Sequence, residues 1–289
     1  MQVLSLVNQK GGCGKTTTAV NLAGALAEQG ERTLLVDLDP QAHATMSVSC
    51  AIADGEPGIT DVLLGKTPAA DALRQVAGGF EILPADESLA EVEEVVARMV
   101  RPEHLLAQAL EPMISEYDYV LLDCPPRADG VLTANALVAS QTALVVVEAG
   151  AFALQGAIKA LRIFERMSRE LDRDFYVRVV GTMFDRRTRL GRELLIGMQS
   201  QFGDILFDTV IHMSQRLRET AAYGAPVQVL APDSRAAADF RELAREVAAH
   251  ARETLVPSRA HHLTALQAGS GVIRDAEPRT AARSTLARR

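Results

Sequence analysis

A doubly wound α/β domain, with a mostly parallel sheet flanked by helices, is the fold class the sequence predicts, and three observations predict it. Short, wholly apolar runs such as VLSLV (3–7) and TALVVVEA (142–149) read as strands buried on both faces. Segments with helical periodicity lie between most of these runs, as parallel strands joined by crossovers require. The first run leads straight into a glycine-rich loop and then a helix, the unit on which such sheets hold an anion.

Taken in order, VLSLV (3–7) is the first strand, and TTTAVNLAGALAEQG (16–30) is a helix closed by Gly30. TLLVDLD (33–39) is a second apolar run that ends in carboxylates. FEILPA (80–85), YVLLDCPP (119–126), TALVVVEA (142–149) and YVRVVGTMF (176–184) repeat the strand pattern, and helical patterns cover 88–111, roughly 130–139, 153–170 and 190–201. FDTVIH (207–212) adds a further strand, and a long helix begun by Ser234 closes the domain at 234–255. A single α/β domain is thus expected over 1–256. Beyond it, 257–289 holds six arginines against only Asp275 and Glu277, and its small polar composition predicts a disordered basic tail.

The chain of 289 residues carries a formal charge of -7, which argues against a wholly basic nucleic-acid coat but leaves room for a basic patch on one face. It contains no apolar run long enough to span a bilayer, and a cytoplasmic setting is expected. Cys13, Cys50 and Cys124 are widely spaced, which suits a reducing compartment and gives no metal-ligand spacing.

The stretch NQKGGCGKTTT (8–18) carries the chemistry. It departs from G-x-x-x-x-G-K-[ST], because Gln9 stands where the first glycine belongs and an additional lysine, Lys10, follows it. Gly11, Gly12 and Gly14 let the backbone turn tightly and aim its N–H groups inward, at the positive end of the next helix. The candidate nucleotide-binding set is Gly11, Gly12, Cys13, Gly14, Lys15, Thr16 and Thr17: Lys15 to reach the β- and γ-phosphates, Thr16 as magnesium ligand, Thr17 for a further phosphate. Carboxylates at strand ends supply the remainder. Asp37 and Asp39 end one apolar run, and Asp123 follows another, where phosphate-loop enzymes keep the aspartate that holds magnesium.

K-G-G-x-G-K-T-T at 10–17, D-L-D-P-Q at 37–41 and D-C-P-P at 123–126 resemble the deviant phosphate-loop ATPases of the ParA/MinD family, and T-M-x-D-x-R-T-x-L at 182–190 narrows the likeness to the ParA branch. The resemblance covers about 1–250 and implies ATP and Mg²⁺ as ligands and a homodimer assembled with ATP. In that family the lysine corresponding to Lys10 reaches the partner's phosphates, so the implied catalytic residues are Lys10, Lys15 and Asp37, the last positioning the hydrolytic water. Thr16, Asp39 and Asp123 are the implied metal-site residues, with Asp39 in the first switch.

The same resemblance implies non-specific binding of duplex DNA, an ATPase-stimulating partner or cargo adaptor of the ParB kind, and a nucleoid-associated protein that partitions or positions a plasmid, chromosome or protein assembly. Candidate phosphate contacts are Arg187, Arg189 and Arg192, with Arg186 beside them, and the pair Arg216 and Arg218. IHMSQRLRETA at 211–221 departs from the family, with His212 in place of proline and Met213 in place of arginine. The alternative is a membrane-surface ATPase of the MinD type. No membrane partner is expected, because the tail lacks Trp and Phe and has scarcely any apolar stripe. An iron–sulfur reductase would need paired cluster cysteines, which Cys13 and Cys124 do not convincingly provide.

Overall fold

The computed structural model describes residues 1–254 except 97, 128, 151 and 173; the basic tail expected at 257–289 lies outside the described residues. Eight strands form one sheet: β1 (Gln2–Val7), β2 (Thr33–Asp37), β3 (Arg74–Gln75), β4 (Glu81–Leu83), β5 (Tyr119–Asp123), β6 (Thr142–Glu148), β7 (Tyr176–Phe184) and β8 (Leu206–His212). The helices are α1 (Lys15–Glu28), α2 (His43–Ser47), α3 (Ile59–Leu63), α4 (Leu89–Val96), α5 (Leu105–Leu110), α6 (Val131–Ala139), α7 (Ala153–Glu170), α8 (Arg189–Phe202), α9 (Gln215–Tyr223), α10 (Val227–Leu230) and α11 (Arg235–Thr254). The strand order is β3-β4-β2-β5-β1-β6-β7-β8, parallel throughout except for the antiparallel β3–β4 pair at one edge. The doubly wound, mostly parallel sheet is therefore present.

Alternation along the strands divides the core in two. Val3, Val7, Leu34, Val36, Val120 and Leu122 join the cluster on one face, while Leu4, Leu6, Leu35 and Leu121 join the other. Successive side chains of a strand point to opposite faces, so a strand with a helical layer on each side must be apolar at every position. Leu22, Ala23 and Leu26 of α1 and Phe240, Leu243 and Val247 of α11 cover the second face.

The order in which strands are added reverses around β1, which pairs β5 on one side and β6 on the other, both parallel. A crevice at the carboxyl ends of the strands beside such a switch point is the usual ligand position in open α/β sheets.

The helix expected over 88–111 is divided. It ends at Val96, Arg101 adopts φ 55, and a 3-10 turn at Pro102–His104 leads into α5. The proline has no N–H and disfavours helical backbone at the residue before it, so the apolar period runs on while the backbone breaks. The second run, expected as a strand to 39, leaves the sheet after Asp37, because the backbone N–H of Asp39 turns back to the Asp37 side chain (3.1 Å).

Candidate active site

Residues 8–14 leave β1 and wrap the start of α1, held by the loop's own chain and by two neighbouring strands. Asn8 donates to the Val146 carbonyl of β6 (2.6 Å) and accepts from the Lys10 N–H (3.1 Å). From the other side the Thr182 hydroxyl of β7 donates to the Cys13 carbonyl (2.7 Å). Gly12 and Gly14 adopt φ +75 and +90, backbone that residues with a Cβ rarely take. A Cβ built on Gly11 or Gly12 meets nothing within 4 Å, so the space above the loop is open. Cys13 is buried, whereas Thr16 and Thr17 are partly exposed at the first turn of α1.

Lys15 is buried, and its ammonium leans toward the Lys10 carbonyl (3.5 Å). Lys10 points outward and forms an ion pair with Glu148 at the end of β6. The structure thus brings both lysines to one loop but sends their charges in different directions.

Asp37 and Asp123 stand side by side as register partners at the ends of β2 and β5, and Asp123 is also register partner to Leu6 on β1. Both carboxylates are fully buried. Asp37 accepts from the Thr45 N–H (2.9 Å), the Thr45 hydroxyl (2.8 Å) and the Asp39 N–H. Burial outweighs these three donors and pushes its pKa up to about 6. Neither oxygen of Asp123 has a hydrogen-bond partner among the described residues. Burial first, and then the neighbouring Asp37 charge, raises its pKa well above the carboxylate range, against the opposing pull of Thr16 and Lys15. Asp39 accepts from the Gln41 N–H (3.0 Å) close by.

An orphaned, buried carboxylate is costly unless something compensates it. Beside an open glycine loop and a helix N-terminus, the missing partner fits a hydrated cation that shares its ligands with a bound phosphate. Magnesium keeps several waters and takes one or two carboxylates plus substrate phosphates, and the Asp123 carboxylate beside the first turn of α1 is a donor of that kind. Burial raises the Cys13 and Cys124 thiols above their ordinary value, Cys124 strongly, so both remain protonated.

The arginine candidates form a second group. Arg186 and Arg187 lie between β7 and α8, Arg189 and Arg192 in the first turn of α8, and Arg216 and Arg218 on α9. The two sets are adjacent, since Phe184 of β7 pairs with His212 of β8 and accepts from the Met213 N–H (3.0 Å). Arg187 pairs with Asp185 (2.9 Å), Arg189 with Glu193 (2.6 Å) and Arg216 with Glu219 (2.9 Å). Arg192 donates to the Arg186 and Arg187 carbonyls (3.2 and 3.0 Å), and Arg218 is exposed. The departure at His212 is absorbed locally: the ring bonds Asp239 at the start of α11 (2.9 Å), which also accepts from Arg235 (3.2 Å).

Sequence reasoning missed Asn8, Thr45 and Glu148, and assigned no role to Thr182. Asn8 and Thr182 lie inside segments already singled out, so their position was visible although their partners were not.

Residues 1–177 match a family model described as an AAA domain. Over 251 residues the chain is 37% identical to the sporulation initiation inhibitor protein Soj of Bacillus subtilis, covering 86% of this chain and 99% of that protein. The chromosome partitioning protein ParA of Caulobacter vibrioides is also 37% identical, over 257 residues, 88% of this chain and 96% of that one. Among solved structures, a cobyrinic acid a,c-diamide synthase of Mycobacterium smegmatis with bound ATP analogue and magnesium has a TM-score of 0.75 and 30% identity, covering 87% of this chain and 96% of that chain. The septum site-determining protein MinD of Pyrococcus horikoshii, complexed with Mg-ADP, shares the fold with a TM-score of 0.70 at 24% identity, across 85% of this chain and 95% of its own.

Proposed function

Because this chain belongs to the ParA/MinD family of P-loop ATPases, on its ParA branch, we propose that it binds ATP with Mg²⁺, dimerises around the nucleotide, and hydrolyses it to position a cargo on DNA. The observation that carries the reading is Asp123, fully buried with no well-formed hydrogen bond at either oxygen and only the partial pull of Lys15 and Thr16 against its burial, at the foot of an open glycine loop.

In this reading the N–H groups of residues 11–17 and the N-terminal field of α1 hold the triphosphate. Lys15 turns from the Lys10 carbonyl to the β- and γ-phosphates. Magnesium, held by the Thr16 hydroxyl and by Asp123 with Asp39 close by, supplies charge neutralisation on the phosphates. Lys10 extends to the phosphates of a second copy, a cation supplied in trans where transition-state charge develops. Asp37 orients the attacking water. Two donors from Thr45 occupy Oδ2, and Oδ1 accepts only one, so Oδ1 keeps a lone pair for that water. Since Asp37 is sealed from solvent, the loop after β2 must shift before water reaches it.

The arginines after β7 and β8 face DNA phosphates without reading bases, and a partner of the ParB kind stimulates hydrolysis and releases the dimer. The likeness to the chromosome partitioning protein ParA of Caulobacter vibrioides supports a chromosome as the cargo, with a plasmid or a protein assembly as the alternatives.

Titration calorimetry with ATP and Mg²⁺ tests the core of this reading. Lys15→Ala is expected to abolish measurable binding, and an affinity equal to that of the unmutated protein would overturn the assignment.

A further inference from the structure

We propose that Glu148 is a positioning residue that holds Lys10 within its own subunit until ATP assembles the dimer, and so sets the ATP concentration at which assembly occurs. This rests on the trans role proposed for Lys10.

Glu148 is the last residue of β6, and its side chain is 19% exposed against 60% for Lys10. The pair therefore joins a solvent-facing ammonium to a largely buried carboxylate at the end of a sheet strand. On its other flank Glu148 is register partner to Thr182, the residue whose hydroxyl holds the Cys13 carbonyl. Space beyond the carboxylate is limited, since a Cβ on Gly150 would sit 3.4 Å from Glu148 Oε1. Among the described residues Lys10 is the only cation paired with Glu148.

The backbone of Lys10 is tied as well. Its N–H donates to Asn8, which itself bonds Val146 two residues before Glu148, and its carbonyl faces Lys15 Nζ (3.5 Å). Side chain, amide and carbonyl thus fold Lys10 against β6 and Lys15. An ammonium held there is not available to a partner's phosphates, so the γ-phosphate of a second subunit must compete with Glu148 for it. Each symmetric dimer breaks two such pairs. A triphosphate offers more charge at the reach of Lys10 than a diphosphate, and the intrasubunit competitor thereby sharpens the choice between the two.

Glu148→Gln keeps the size of the side chain and removes its charge. With the full-length protein, light scattering during a Mg²⁺-ATP titration is expected to show a dimerisation half-point roughly five-fold lower in ATP. ADP affinity by calorimetry is expected to be unchanged, because the diphosphate form does not call on Lys10 in trans. Glu148→Ala serves if the Gln variant does not fold, with the same direction of shift. An unmoved or higher half-point overturns the proposal, and so does a parallel loss of ADP and ATP affinity, which would make Glu148 a brace for the loop. Lys10→Ala separates the two levels. If it dimerises with ATP like the unmutated chain, the reading of Lys10 itself fails, whereas a dead Lys10→Ala with an unmoved Glu148→Gln removes only the role of Glu148.

Discussion

At the scale of the residue, the site stores unfavourable charge. Asp37, raised to about 6, and Asp123, raised well above the carboxylate range by burial, bind protons more tightly folded than unfolded. As pH rises from about 4, the unfolded carboxylates ionise first, so stability is lost through that window and the cost persists above it. Asp123→Asn removes one buried charge and is expected to raise the melting temperature of the nucleotide-free protein at pH 8 by about 2–4 °C, the equivalent of about 1 kcal/mol in a domain of this size. Near pH 4 the gain should vanish, and with Mg²⁺-ATP the order should reverse. A pH-independent difference in melting would show that Asp123 carries no charge penalty. Lys15, Thr16 and Asp123 were legible in the sequence because their chemistry sits in contiguous motifs at strand ends. Thr45 and Glu148 were not, because they serve the site only through tertiary register, 8 and 138 residues from the groups they hold.

At the scale of the element, β8 is an exposed edge managed by the helix behind it. Glu246 on α11 accepts from the Asp208 and Thr209 N–H groups (2.8 Å each), and Asp239 accepts from the His212 N–H (3.0 Å). Carboxylates that face an edge strand's donors block pairing with another chain as well as satisfying the backbone. Glu246→Ala is expected to cost about 1–2 kcal/mol and to lower the melting temperature by a few degrees, with ATP affinity retained because the phosphate loop lies three strands away. Loss of ATP binding in a folded Glu246→Ala protein would show that the edge supports the site directly. The strands were readable as apolar runs because both of their faces are buried. The break at Arg101–Pro102 and the two-residue β3 were not, since the first hides inside a continuing apolar period and the second is too short to show alternation.

At the scale of the whole molecule, an acidic protein of formal charge -7 must present a cationic face to bind DNA. In one subunit that face is partly self-neutralised, because Arg187, Arg189 and Arg216 each have a carboxylate partner. DNA phosphates must displace those carboxylates, so a single copy is expected to bind weakly. A dimer aligns two sets, and since log affinity falls by about 0.9 per neutralised phosphate per decade of salt, it gains both strength and salt sensitivity. On the proposed reading, nucleotide-driven assembly is then expected to act as a DNA switch. Affinity for unrelated duplexes is expected to be equal, to require ATP over ADP, and to drop steeply between low and moderate salt. Changing Arg216 and Arg218 together to Glu should weaken it and flatten the salt slope, while ATP-driven dimerisation persists. The six arginines of 257–289 are expected to add a nucleotide-independent contribution, so the comparison is made also on a chain truncated after Val256. For that shorter chain, equal binding in ATP and ADP would sink the switch, and binding to anionic liposomes in place of DNA would favour a membrane surface as the track.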